Sequence, residues 1–110
     1  YGITKQVQEE LVLTLCKNLG IQALAYRFQN VYGPGQSLSN PYTGILSIFS
    51  TRIRQGKDIN IFEDGQESRD FVYIDDIVAA LIAGIESDRY MHESFNVGTG
   101  KMVTVETVVN

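Results

Sequence analysis

Residues 61–81 read IFEDGQESRDFVYIDDIVAAL, and the hydrophobic period changes within them. Taken with the preceding DIN, the stretch opens as a strand over 58–63, where Ile59 and Ile61 alternate with polar residues. The DGQES segment (64–68) has the Asp-Gly pair of a turn. RDFVYI (69–74) follows as a second strand, expected to pair with the first. From Ile74 the period moves to that of a helix. Ile74, Ile77, Val78, Leu81, Ile82 and Ile85 fall at i, i+3 and i+4 and form one apolar stripe. A strand that runs straight into an amphipathic helix is the repeating half of an α/β fold. Asp75 and Asp76 stand at the junction. Adjacent carboxylates are either a catalytic pair or groups that cap and stabilise the positive end of a helix, and the second role needs no chemistry.

The same alternation continues outward in both directions. Ile3, Val7, Leu11, Leu15 and Leu19 recur at i+4, so 1–19 reads as a helix that Gly20 stops. IQALAYRF (21–28) is a strand. QNVYGPGQSLSNP (29–41) is rich in Gly, Pro, Asn and Ser and reads as a loop, long enough to carry function. YTGILSIFSTRIRQG (42–56) is a second helix, ended by Gly56. Toward the other end, SFNVG (94–98) is a strand. Thr104 is expected to cap a last helix, VETVVN, with a Glu at the capping-box spacing. Helices and short apolar strands alternate throughout, which places the chain in the α/β class with crossovers onto a sheet.

The 110 residues are enough for one domain with a modest core. At 44% hydrophobic and 20% charged, the chain is globular rather than disordered. A net charge of −4 argues against nucleic acid as a partner. The one basic cluster, RIRQGK (52–57), sits at a helix end that favours cations. The single cysteine, Cys16, allows no internal disulfide and points to a reducing, cytoplasmic setting. No run is apolar and long enough to span a membrane, so no membrane partner is expected. The start without methionine and the short last helix suggest that both ends are cuts.

Three short motifs bear on chemistry. In YGITK (1–5), Tyr1 and Lys5 are one helical turn apart and share a face. An ammonium beside a phenol favours the phenolate, which then serves as a general base near neutral pH. The alternative is a surface Tyr and Lys with no task. GTGK (98–101) has the look of a phosphate loop, but a Walker loop needs Gly at 95 and Ser or Thr at 102, where this chain has Phe95 and Met102. His92 lies in a polar turn without Cys or His partners, which argues against a metal site.

Taken in order, YGITK, RFQNVYGPGQ, IFEDGQESRDFVYIDDIVAAL and FNVGTG resemble the extended short-chain dehydrogenase/reductase superfamily of NAD-dependent nucleotide-sugar epimerases and dehydratases. The run RFQNVYGPGQSLSNPYTGILSIFSTR most resembles its dTDP-L-rhamnose 4-epimerase-like branch, near UDP-galactose 4-epimerase. The resemblance implies a Rossmann-like α/β fold of which this chain is a fragment. Residues 1–28 would close the NAD-binding core with the catalytic helix, and 29–110 would supply mainly the substrate-binding region. It implies NAD as cofactor, with NADP open, a nucleotide-diphosphate sugar as substrate and a homodimeric parent. Tyr1 matches the base that takes a proton from a sugar hydroxyl while hydride passes to NAD. Lys5 matches the lysine that supports it and bonds the nicotinamide ribose. Gln29 matches a position beside the nicotinamide that is often aromatic in UDP-galactose 4-epimerases. Asn30 matches a phosphate contact. Asn60, Ile61 and Phe62 match a strand near the nucleotide base. Arg69 matches an arginine on the diphosphate, for which a planar fork is suited. Without the resemblance, Arg69 reads as a partner for Asp70 or Asp64. Other members are dehydratases and reductases, and a non-catalytic binding protein with the same fold is the remaining alternative.

Overall fold

The computed structural model describes residues 1–38, 40, 44–61 and 64–110. Helix α1 (Gly2–Asn18) leads to β1 (Leu24–Phe28), β2 (Asn30–Tyr32) and α2 (Ile45–Arg54). Then come β3 (Ser68–Arg69), β4 (Phe71–Tyr73), α3 (Ile74–Glu86), β5 (Glu93–Val97), β6 (Val103–Thr104) and α4 (Val105–Val109). Helices α1 and α2 end by the same device. Gly20 and Gly56 take positive φ of 69° and 63°, and the chain folds back onto the last turn. The Gly20 and Ile21 N–H groups donate to the Lys17 and Cys16 carbonyls, and those of Gly56 and Lys57 to Ile53 and Arg52. These are Schellman closures, which an L side chain at the positive-φ position would strain.

The strands form three two-stranded ribbons. β1 runs parallel to β5, with Leu24 opposite Glu93 and Phe28 opposite Val97. β2 runs parallel to β4, with Asn30 opposite Phe71 and Tyr32 opposite Tyr73. β3 is antiparallel to β6. Parallel neighbours need a crossover: α2 lies in the connection from β2 to β4, and α2 and α3 both lie in the connection from β1 to β5.

Several expectations are corrected here. The strand over 58–63 does not form in its described part, 58–61, and Phe62 and Glu63 lie outside the described residues. The strand over 69–74 is divided at Asp70, and its two pieces pair with β6 and β2 instead of with 58–63. The loop over 29–41 opens with a strand, β2, because its backbone finds a partner in β4 about forty residues away. Asp75 and Asp76 lie in the first turn of α3, where they suit the helix dipole, but neither caps it. The N-cap is Tyr73, without a side-chain bond. Thr104 does cap α4, accepting from the Thr107 N–H at 3.2 Å. Thr107, not a Glu, stands three residues on; Glu106 instead accepts a bond from Gln66.

The core is small. Among the described residues the buried hydrophobic side chains are Phe49, Val72, Ile77 and Val105, one each from α2, β4, α3 and α4. Of the apolar stripe on α3 only Ile77 is buried, while Ile85 is 83% exposed. α1 buries none of its residues. The radius of gyration is 17.2 Å, against about 13 Å for a compact chain of this length.

Candidate active site

β1 and β2 are separated by one residue yet belong to different ribbons. The Gln29 N–H still donates to Val97 of β5 at 3.0 Å, and the next, that of Asn30, donates to Asp70 at 2.9 Å. The chain therefore leaves one partner and joins another between Gln29 and Asn30. In parallel α/β sheets, such a point opens a crevice beyond the strand ends where ligands bind.

Asp70 bridges the divergence. Its main-chain oxygen takes the Asn30 N–H. Its carboxylate accepts from the Thr99 hydroxyl at 2.6 Å, the Thr99 N–H at 3.0 Å and the Gly100 N–H at 2.8 Å. Two N–H groups of the GTGK turn, those of Thr99 and Gly100, are thus engaged by an internal anion, and that of Lys101 by the Thr99 hydroxyl, which argues against the phosphate-loop reading. The sequence offers Asp70 only as a partner for Arg69. The carboxylate turns the other way because successive residues of an extended chain face opposite sides. The Thr99 hydroxyl, then the Thr99 and Gly100 N–H groups, hold this carboxyl below the usual aspartate range against the opposing effect of burial. The folded value therefore lies below the unfolded one of about 3.9. The stability carried by this contact is present above that value and is lost as pH falls through the folded one. An NMR titration should show the Thr99 and Gly100 amide shifts moving with a midpoint below ~3.9.

Gly98 makes this junction possible. A Cβ there would stand 2.5 Å from Asp70 Oδ2 and 2.7 Å from Gln29 Cγ. Gly98→Ala should displace both side chains and cost about 1–3 kcal/mol, the usual range for overpacking. Urea unfolding measures the loss, and the Thr99 amide shift should move with it.

Tyr1 and Lys5 meet as their spacing predicts. The Lys5 ammonium lies 5.7 Å from the Tyr1 ring centroid, and Lys5 also donates to Gln8 at 3.3 Å. Tyr1 is 94% exposed at the start of α1. A groove of about 500 Å³ runs from this pair along β1 and is lined by Glu9, Arg27 and Phe28 among others. Phe28 immediately precedes Gln29, so the groove leads toward the divergence. A phenol, an ammonium and the Gln29 amide are donors and acceptors that fit ribose hydroxyls and a carboxamide.

A second cleft, of about 280 Å³, lies between α2 and α4. Its walls are mostly apolar, with Ile45, Ile48, Phe49, Ile61 and Val105, and its polar groups are Arg52, Asn60 and Glu67. Arg69 is joined to it through an ion pair with Glu67 at 2.5 Å. Glu67, two residues before Arg69, takes the place expected of Asp64 or Asp70. Asp64 instead accepts the Gln66 N–H. Among the described residues, no hydrogen bond or ion pair joins the Tyr1–Lys5 pair to Arg69, and Phe62 lies outside them.

The profile of the NAD dependent epimerase/dehydratase family matches residues 1–98. The chain belongs to this family. It is 40% identical over 105 residues to dTDP-L-rhamnose 4-epimerase of Burkholderia thailandensis, a match that takes in 96% of the chain and 29% of that enzyme. The structure superposes with a TM-score of 0.91 on UDP-glucose 4-epimerase of Thermotoga maritima, solved with UDP-glucose, at 36% identity over 99% of the chain and 34% of that enzyme. Its TM-score against the UDP-glucose 4-epimerase of Thermus thermophilus, solved with NAD, is 0.84 at 27% identity, over 99% of this chain and 35% of that one. The chain spans about a third of the length of the relatives it matches. The Rossmann-like α/β architecture expected from the motifs is therefore the one observed.

Proposed function

We propose that the chain supplies the catalytic pair and most of the substrate-binding surface of an NAD-dependent epimerase acting on a nucleotide-diphosphate sugar. The observation that carries this reading is the Tyr1–Lys5 pair, held together at the head of a groove that leads to the divergence of the two parallel ribbons. Residues 1–28 belong with the dinucleotide-binding half, and 29–110 with the substrate half.

In this reading Tyr1 takes the proton from a sugar hydroxyl as the carbon beneath it is oxidised to a ketone, and returns the proton after the sugar has turned over. Bound NAD would supply the hydride acceptor and donor for that carbon. Lys5 brings positive charge beside the phenol and donates to the ribose. Gln29 faces the carboxamide from the strand divergence. The exposed Asn30, with its backbone pinned by Asp70, contacts phosphate. Asn60 and Ile61 line a largely apolar cleft that suits a flat ring and receives the base. Arg69 exchanges Glu67 for the diphosphate. The uncovered face of α1 supports a homodimeric parent, and the single cysteine supports a cytoplasmic one. The test is to incubate the whole protein with NAD and either dTDP-L-rhamnose or UDP-glucose and to follow C4 inversion by proton NMR. Inversion of neither sugar, with keto-sugar accumulating instead, would favour a dehydratase or reductase.

A further inference from the structure

Within these 110 residues, packing alone does not set the roll of α1 about its own axis. None of its residues is buried, and Val7, Leu11 and Leu15 are each about half exposed. Yet Tyr1 and Lys5 act from one side of this helix, and a change of roll would carry both away from the groove. Glu9 continues their side, at i+8 from Tyr1 and i+4 from Lys5. It is held by a two-pronged ion pair. Arg27 Nε donates to Oε2 at 2.7 Å and Nη2 to Oε1 at 2.6 Å. Arg27 lies in β1, the strand that ends at the divergence. Side-chain exposure of Glu9 falls to 18% at this contact. A guanidinium fork on a carboxylate fixes orientation as well as distance, which a single bond does not. The apolar stripe of α1 draws the eye in the sequence, and a Glu and an Arg 18 positions apart carry no local signal.

We propose that the Glu9–Arg27 pair is the positioning device of the Tyr1–Lys5 centre, clamping α1 to β1 in the roll that turns the phenol and ammonium into the groove. Glu9 and Arg27 act through the helix and touch no reacting atom. The inference rests on the catalytic reading of Tyr1 and Lys5. A displacement of about 1 Å at a reacting group costs on the order of 100-fold in rate. In the whole protein, Glu9→Gln and Arg27→Met are therefore expected to lower kcat about 10- to 100-fold while nucleotide-sugar Kd stays within about twofold. Hydrogen exchange over residues 2–18 should quicken in both variants while that of β1 and β5 does not. The exchanged pair Glu9→Arg/Arg27→Glu should restore much of both, and Arg27→Lys should restore little, because an ammonium lacks the fork. The proposal is overturned if either single variant keeps parental kcat, if α1 exchange does not change, or if the folded charge-swap variant is as impaired as the single ones. Tyr1→Phe, run alongside, separates the two ideas. Full turnover in Tyr1→Phe removes the catalytic reading, whereas loss of turnover there with parental kcat in Glu9→Gln removes only the positioning role.

Discussion

Tyr1→Phe in the whole protein is expected to bind nucleotide sugar as the parent does, within about twofold, and to lose about 10²- to 10⁴-fold in turnover, the usual contribution of a placed acid–base group. The substitution removes one oxygen. Within these 110 residues Tyr1 is 94% exposed and lies outside the core, so the substitution removes no core packing here. The Lys5 contact is with the ring face, 5.7 Å from the centroid, and a phenylalanine ring keeps that attraction. Lys5 therefore stays in place and only the proton acceptor disappears. Single-turnover reduction of bound NAD reads the first half-reaction directly, and calorimetry reads Kd. An interaction made only in the transition state lowers kcat without raising Kd. Parental rates of NAD reduction in Tyr1→Phe would exclude the phenol as the base.

Arg69→Ala should do the reverse. Loss of a charge-assisted, two-pronged contact with a diphosphate costs on the order of 2–4 kcal/mol, or about 30- to 1000-fold in nucleotide-sugar Kd. The loss has two parts. The fork is gone, and Glu67, which now pairs with Arg69, is left as an unpaired carboxylate near the incoming anion. Arg69→Lys should recover only part, since an ammonium is a point charge. Glu67→Gln offers a control: it removes the competing carboxylate and should tighten binding slightly. If Arg69→Ala binds nucleotide sugar like the parent, the arginine serves only its ion pair with Glu67. That pair is exposed and worth little by itself.

Much of the local structure is legible in the sequence because its causes are local. Gly20 and Gly56 stop their helices through a positive φ, Thr104 caps α4 through its own hydroxyl, and Tyr1 meets Lys5 through helical spacing alone. The departures have one character. Asp75 and Asp76 are of a residue type that caps helices, but the geometry of the turn gives that position to Tyr73. The stripes on α1 and α3 mark faces that avoid water, but periodicity does not say what covers a face, and within these 110 residues most of both remains exposed.

The sequence by itself determined where α1 and α2 stop, that Thr104 caps α4, which residues share a helical face, and, through four short motifs taken in order, the family. All of these depend on interactions across a few positions or on patterns kept in linear order. Only the tertiary structure decided that residues 69–74 divide at Asp70, that the chain leaves β5's side for β4 between Gln29 and Asn30, and that Asp70 holds the 98–100 turn across that gap. It also decided that Glu9 grips Arg27 and that Arg69 takes Glu67. Most of these contacts join residues about 20 to 40 positions apart. Their choice depends on which backbone groups and charges the packed elements leave within about 3 Å of one another, a distance that linear order does not encode.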